Sequence, residues 1–360
     1  MPFSSAVPSR IPSVRLLING APVAGVISAE VNSNNYFGAD CFNLTLATGE
    51  APPLSTAAFW ASSLNVATEV QFSLDGTNYQ PLVVGLVDNI VFDPLAGRVQ
   101  ITGRDNTATL IESSLEENFS NRTSSEIVQI IAAEHGFGCS TTPTSTLVGR
   151  YYQDEHNQLS LDQFSHITTE WDLLVFLSRQ EDFNLFFVGN ILVFLPVGSD
   201  THNQAYFPSD LISLRLDRSL LLSRDIEVTI RSWNSRQQTS FSQSLSGSAS
   251  AGVETAGPIR YQFVRPNLTP DQLTSLATRK IAELACHERC VEIEIPGELA
   301  LTPRDQLTIA GTGTAFDQTY QIQAIRRRIH RQTGFTEQIR ATSMAPRTIT
   351  VLNSSLQGAD

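Results

Sequence analysis

Short apolar alternations cut by tight-turn pairs run through this chain, and they limit what it can fold into more than any other feature. In "VRLLINGAPV" the Asn19-Gly20 pair supplies the positive φ angles of a type I′ turn, so the flanking residues read as a hairpin. "EVQFSLDG" alternates Val70, Phe72 and Leu74, and "GRVQITG" alternates Val99 and Ile101, which gives each strand one buried face. Many such strands at short spacing predict a barrel or sandwich over residues 1–105. Composition supports this, because 19 Phe and 41% hydrophobic against 17% charged residues belong to a globular, β-rich chain. At 360 residues, roughly two to three domains are expected.

The period changes after Asp105. "TSSEIVQIIAAEHGFG" opens with Thr123 three residues before Glu126, a capping box, and closes on Gly136; Ile127, Ile130 and Ile131 make its apolar face. A second helix is expected from about Thr169 to Gln180, burying Leu173, Leu174, Phe176 and Leu177. "NLFFVGNILVF" then reads as two strands joined by Gly189-Asn190. Residues 106–215 are therefore read as a small α+β domain. Strands resume at "RDIEVTIRSWNS", and residues 240–252, rich in Ser, Gly and Ala, are expected to form a flexible loop. A helix over 270–288 follows, with Thr269 as cap and Pro270 at its first position; its stripe is Leu273, Leu276, Ala277, Lys280 by its stem, Ile281 and Leu284. Closing strands complete a second β domain over 216–345, and 346–360 form a tail.

A formal charge of -12 argues against a protein that grips nucleic acid, since such grip needs a basic stripe. It is compatible with a surface that DNA slides past. The N-terminus lacks an apolar run of signal-peptide length, and no run of about 18 apolar residues occurs, so a soluble chain made in the cytoplasm, without membrane binding of its own, is expected. "LACHERCVEI" places Cys286, His287 and Cys290 together, yet structural zinc wants four ligands, and Cys41 and Cys139 stand apart. No metal or cofactor is expected. Glu112, Glu116 and Glu117, and Glu134 beside His135, are the titratable clusters a hydrolase would use. Nucleophile elbow, zinc helix and phosphate-cradling loop are all missing, so no catalytic residue is assigned. In "RRRIHR" a strand would put Arg326, Arg328 and His330 on one face, a candidate subunit interface facing carboxylates of a neighbouring copy.

Three segments together carry a family resemblance. "VVGLVDNIVFDPLAGRVQITGRDNTATLIESS" with "NRTSSEIVQIIAAEHGF", "IEVTIRSWNS" with "RPNLTPDQLTSLATRKIAEL", and "LTPRDQLTIAGTGTAFDQTYQIQAIRRRIHRQTGF" resemble, in order and spacing, hub proteins of phage tails of the late-control protein D type. These are related to the N-terminal half of the VgrG spike proteins of type VI secretion. The resemblance covers about residues 11–345. It implies a mainly β fold, with two tube-like β-barrel domains plus a small α+β domain, and a homotrimeric ring that is nearly six-fold by domain. It further implies a virion baseplate location, with a tail tube or distal tail protein above, a spike below, wedge and tape-measure proteins as further neighbours, and DNA only in transit.

The chain offers an internal echo of this duplication. "GLVDNIVFDPLAGRVQITG" and "YQIQAIRRRIHRQTGFTEQIRA" both read as strand, glycine turn (Gly97, Gly334), strand, with a one-residue shift between them. VgrG chains run on into a spike, whereas this sequence ends at Asp360, so the spike is expected to be a separate polypeptide. Thr348, Ile349, Thr350, Val351 and Leu352 are the candidate docking segment, by strand addition. The competing reading is a tail-associated cell-wall hydrolase or glycan-binding module seated in 106–215.

Overall fold

Alternation of the kind seen in "EVQFSLDG" becomes one-sided burial in the computed structural model of the chain, which describes residues 10–35, 37–48, 57–115, 119, 121–145, 147–148, 168–198, 202–234, 239–248, 257–265, 268, 270–344 and 348–358. The first seven strands are β1 (Ser13–Ile18), β2 (Ala21–Val23), β3 (Val26–Asn34), β4 (Cys41–Ala47), β5 (Ala67–Ser73), β6 (Gln80–Asp93) and β7 (Arg98–Asp105), with the short helix α1 (Ala57–Ser62) before β5. Asn19 and Gly20 take φ of 51° and 79°, the tight β1–β2 turn that the Asn-Gly pair predicts. Inward residues Leu16, Val31, Leu44, Val70, Phe72 and Ile101, each at most 1% exposed, close one apolar core. The sheet curls round that core in the order β3-β4-β7-β6-β5-β1-β2.

Residues 107–196 form the helical insert. It contains α2 (Thr107–Glu112), β8 (Arg122–Thr123), α3 (Ser124–Glu134), β9 (Gly138–Thr141), β10 (Leu147–Val148), α4 (Glu170–Glu181), β11 (Phe183–Val188) and β12 (Ile191–Pro196). Helices α3 and α4 start in capping boxes: Thr123 with Glu126, as the spacing predicts, and Thr169 with Asp172 at the expected start of the second helix. Helices α3 and α4 pack Ile127, Val128, Ile131, Leu173 and Leu177 on Leu185, Leu192 and Phe194 of the β11-β12-β9 sheet.

The second half holds β13 (Asn203–Tyr206), β14 (Ser213–Arg218), β15 (Ile226–Asn234), β16 (Thr239–Ser248), β17 (Ile259–Val264), α5 (Pro270–Ala285), β18 (Arg289–Pro296), β19 (Gln306–Ile309), β20 (Thr319–His330), β21 (Gly334–Ser343) and β22 (Thr348–Gly358). Of these, β14-β18-β21-β20-β19-β13 form a second curved sheet with its own core of Val291, Ile293, Leu307, Tyr320, Ile322, Ile325 and Ile339. An antiparallel ladder between β20 and β3 fuses the two sheets, so thirteen strands are continuous among the described residues.

Four boundaries differ from the sequence reading. Residues 203–218, assigned there to the insert, pair with β19 and β18 and belong to the second sheet. Residues 226–264 and the helix, assigned to the second barrel, form a separate layer: a four-stranded sheet ordered β17-β15-β16-β22 whose Ile226, Val228, Ile230 and Leu245 face Leu273, Ala277 and Ile281 of α5. The expected loop at 240–252 is strand β16 as far as Ser248, and 249–252 lie outside the described residues. Serine-rich composition hid it, since only Phe241 and Leu245 on its inner face are large and apolar, yet Leu245 is 2% exposed beneath the helix. That helix stops at Ala285, three residues short of the expected end, and its expected cap Thr269 lies outside the described residues.

The two curved sheets repeat one strand order. Reading across, β1-β5-β6-β7-β4-β3 in the first matches β13-β19-β20-β21-β18-β14 in the second, and in each the strands occur along the chain in the same sequence. The long hairpins coincide in detail: three pairs, Gly85–Val87 with 103–105 and Tyr320–Ile322 with 341–343, precede a bulge at Asp88 and at Gln323. Beyond it the first hairpin continues for five pairs and the second for seven. One ladder breaks the match, since β1 runs antiparallel to β5 while β13 runs parallel to β19.

Candidate functional site

The junction where β20 meets β3 carries the charged cluster singled out in the sequence. Strand alternation puts Arg326 and Arg328 on the outer face, as predicted, and both approach Glu30 on the facing strand: Arg326 Nε is 3.5 Å from Glu30 Oε1 and Arg328 Nε 4.0 Å from Oε2. The carboxylate they meet belongs to their own chain, in a contact between its two sheets. Such exposed pairs contribute roughly 0–1 kcal/mol each, so they specify register more than they stabilise. His330, on the same face, accepts the Gln332 amide at Nδ1 (3.1 Å) and borders a concavity of about 300 Å³ beside Val14, Val26 and Ile27. That concavity lies where β1 comes alongside β3, away from the helical insert.

On the inner face of the same strand lies a residue that the sequence reading left aside. Arg327 is 4% exposed; its Nη2 donates to Leu301 O (2.5 Å) and to Glu337 Oε1 (2.9 Å), and its Nε to Glu298 O (2.9 Å). Glu337, with no exposed surface, also accepts the Glu298 amide at 3.0 Å. Burial pushes the Glu337 carboxyl up to about 7, against the pull of Arg327. In the first sheet the matching cross-strand pair is Phe92 and Val99, so an ion pair replaces an apolar one at equivalent places.

A second carboxylate pair, Asp105 buried and Asp40 partly buried, lies at the edge of the first sheet. Asp40 and Asp105 are linked through the Asp105 amide, which donates to Asp40 O at 2.9 Å. Asp40 Oδ1 accepts the Asn34 amide (2.7 Å), and Asp105 accepts the Thr107 amide (3.2 Å) and hydroxyl (3.1 Å). Burial raises Asp40 to about 6; burial and then the like charge of Asp40 raise Asp105 to about 7. Perturbed carboxylates in a cleft suggest acid–base chemistry. Here the adjoining cavity, lined by Phe186, Phe187 and Arg304, measures about 10 Å³, near the space one water needs, and it excludes a sugar ring or peptide.

The other sequence candidates disperse. Glu112 binds Arg104 (2.5 Å), while His135 Nε2 meets Glu170 Oε2 (2.6 Å) at the start of α4. Glu116 and Glu117 lie outside the described residues. Cys286 sits in the turn after α5, donating to Glu283 O, while Cys290, second in β18, takes the ladder position that Cys41 takes in β4 of the first sheet. The cysteine cluster is thus a repeat position meeting a helix end. Among the described residues no group of three or more His, Cys, Asp or Glu is arranged to hold a metal.

Residues Thr348–Leu352 begin β22, which pairs antiparallel with β16 of the same chain, Ile349 opposite Gly247 and Val351 opposite Leu245. The segment is therefore an ordered edge strand of the four-stranded sheet, with its outer side unpaired among the described residues.

No protein-family model and no curated protein matches this sequence. Solved structures do match in shape over nearly its whole length. A tail protein from Neisseria meningitidis MC58 superposes with TM-score 0.68 at 12% identity, covering 92% of this chain and 96% of that one. The 43 kDa tail protein of prophage MuSo2 from Shewanella oneidensis gives 0.66 at 16%, covering 92% and 98%. An Escherichia coli component of the type VI secretion system, itself structurally similar to bacteriophage tail proteins, gives 0.53 at 14%, covering 92% and 77%. The chain has the fold of these proteins, a mainly β fold with a helical insert.

Proposed function

We propose that this chain is a non-catalytic hub of a phage tail or a related injection particle. Three copies form a ring, each giving two equivalent curved sheets, so the ring is three-fold by chain and nearly six-fold by sheet. It joins a hexameric tail tube above to a trimeric spike below and leaves a bore through which DNA passes. The observation that carries this reading is the repeated strand order, shared bulge included, of the two sheets within one polypeptide. Duplication is what lets a three-fold assembly meet a six-fold one with the same surface used twice.

The partners are those a hub position requires: further copies of itself, a tail-tube or distal tail protein, a spike, and wedge and tape-measure proteins at the rim and bore. The particle is assembled in the host cytoplasm and the protein ends in the virion. A net charge of -12 suits a bore that does not hold DNA back. Spike docking uses the unpaired outer side of β22, to which an extended segment can add as a fifth strand.

Light scattering on the purified chain tests the assembly. A mass near 118 kDa, three times 39.4 kDa, is expected for the hub alone or with its spike; a monomer or dimer under both conditions refutes the reading.

A further inference from the structure

The fused junction inside the chain is a template for a contact between chains. We propose that the second half of β6 of one copy pairs antiparallel with β14 of the next, in the register that β20 and β3 use within the chain. This deepens, and rests on, the ring assembly proposed above.

Both strands have one side unpaired among the described residues. β6 loses its β5 partner beyond Leu86, so residues 88–93 bond to β7 alone, and β14 bonds only to β18 at the end of the thirteen-stranded sheet. Their counterparts are paired: in the repeat, 89–93 of β6 correspond to 324–328 of β20, and β14 corresponds to β3. Burial records the missing neighbour. Ala29 and Val31 of β3 are at most 1% exposed beside β20, whereas the matching Leu214 and Leu216 of β14 are only partly buried. Ile325 and Arg327 are buried, whereas the matching Ile90 and Phe92 are only partly buried. Val91 (54% exposed), Ile212 (56%) and Leu220 (72%) add apolar surface along the same two edges. Open apolar edges of this kind invite pairing with another chain.

The repeat also fixes the register. Asn32 and Asp217 occupy matching places, since they face Cys41 and Cys290, whose own partners Arg104 and Thr342 are equivalent in the two hairpins. In-chain pairs Arg326–Asn32, Arg327–Val31 and Arg328–Glu30 then translate to Val91–Asp217, Phe92–Leu216 and Asp93–Arg215 between copies. Apolar meets apolar at the centre. Arg328 opposite Glu30 becomes Asp93 opposite Arg215, an opposite-charge pair again with the signs exchanged. Such complementarity is what a second copy of this chain offers. The contact is head-to-tail, so rotation must close it into a ring, otherwise it runs on as a filament.

The test uses the full chain carrying Val91→Cys and Asp217→Cys, both at exposed positions, oxidised with diamide and run on non-reducing gels. Wild type, with free cysteines at 41, 139, 286 and 290, sets the background. Covalent dimers and trimers above background are expected, with far less from the off-register Val91→Cys/Arg215→Cys chain. In parallel, Arg215→Glu places like charges opposite each other at every contact and should raise the trimer's midpoint concentration by about tenfold. A trimer of the right mass that neither cross-links nor responds to Arg215→Glu overturns this pairing and leaves the ring standing. Equal cross-linking from the off-register chain overturns the register. A chain that stays monomeric at every concentration, alone and with the spike, overturns pairing and ring together.

Discussion

Replacing Asp105 by Asn should stabilise the protein most at pH 8 and by less than half as much at pH 5. Asp105 is 8% exposed, and its carboxyl is raised from 3.8 to about 7, first by burial and then by Asp40. Between those two values the folded chain keeps a proton that the unfolded chain has lost, so stability falls as pH rises through the window and is lowest above pH 7. At about 1.4 kcal/mol per pKa unit the loss approaches 4 kcal/mol. Because Asp40 shares the titration, roughly 2 to 4 kcal/mol is the expected range for one residue. Asn keeps the oxygen that accepts from Thr107 and carries no charge to bury. With an unfolding entropy of about 2.1 cal/mol/K per residue, Asp105→Asn should raise Tm at pH 8 by about 3 to 5 °C. Thermal melts of both chains at pH 5 and pH 8 decide it. A wild type that melts higher at pH 8 than at pH 5, or an Asn variant destabilised at pH 8, would refute the reasoning.

Other expectations follow from the same contacts. Arg327→Leu strands the buried Glu337 carboxylate and two backbone carbonyls, at a cost of about 3–5 kcal/mol in urea unfolding; under 1 kcal/mol would mean the pair is not buried in solution. Leu245→Ala should cost about 2–5 kcal/mol, because the residue lies under α5; a neutral result would return 240–248 to a surface loop. Gly103→Ala sets a Cβ 2.2 Å from Leu86 O and 2.3 Å from Phe42 Cζ and should cost about 1–3 kcal/mol, whereas Phe42→Val in the same chain recovers part of it, as Ala341 opposite Val291 already does in the second sheet. Truncation after Met344 removes β22, so spike binding should vanish while the trimer persists; binding that survives would exclude docking on this strand.

Local features were legible because local residues determine them. Asn19-Gly20, the Thr123 box, the helix start near Thr169 and Gly136 at φ 69° each act within a few positions, and all stand where the pattern puts them. Partner choice is not local, and the misassignments are of that kind. "NQAY" and "SLRLDR" follow the insert in sequence but find β19 and β18, ladder partners about 70 to 105 residues away. Arg326 and Arg328 show the same limit: alternation gives their face, yet only the fold shows that Glu30, nearly 300 residues earlier, is the carboxylate they meet. β16 was hidden for a different reason, since its face is mostly Ser, and a strand so poor in apolar residues is fixed by the helix and strands around it. The hairpin repeat was visible as two glycine turns, but its register depends on bulges that no residue type announces.

End-on images of the negatively stained hub settle the doubled symmetry most directly. Rotational power spectra should carry a strong six-fold component together with a three-fold one, from three chains each giving two matching sheets. Three equal lobes with no six-fold component, or particles without a ring, would contradict the account.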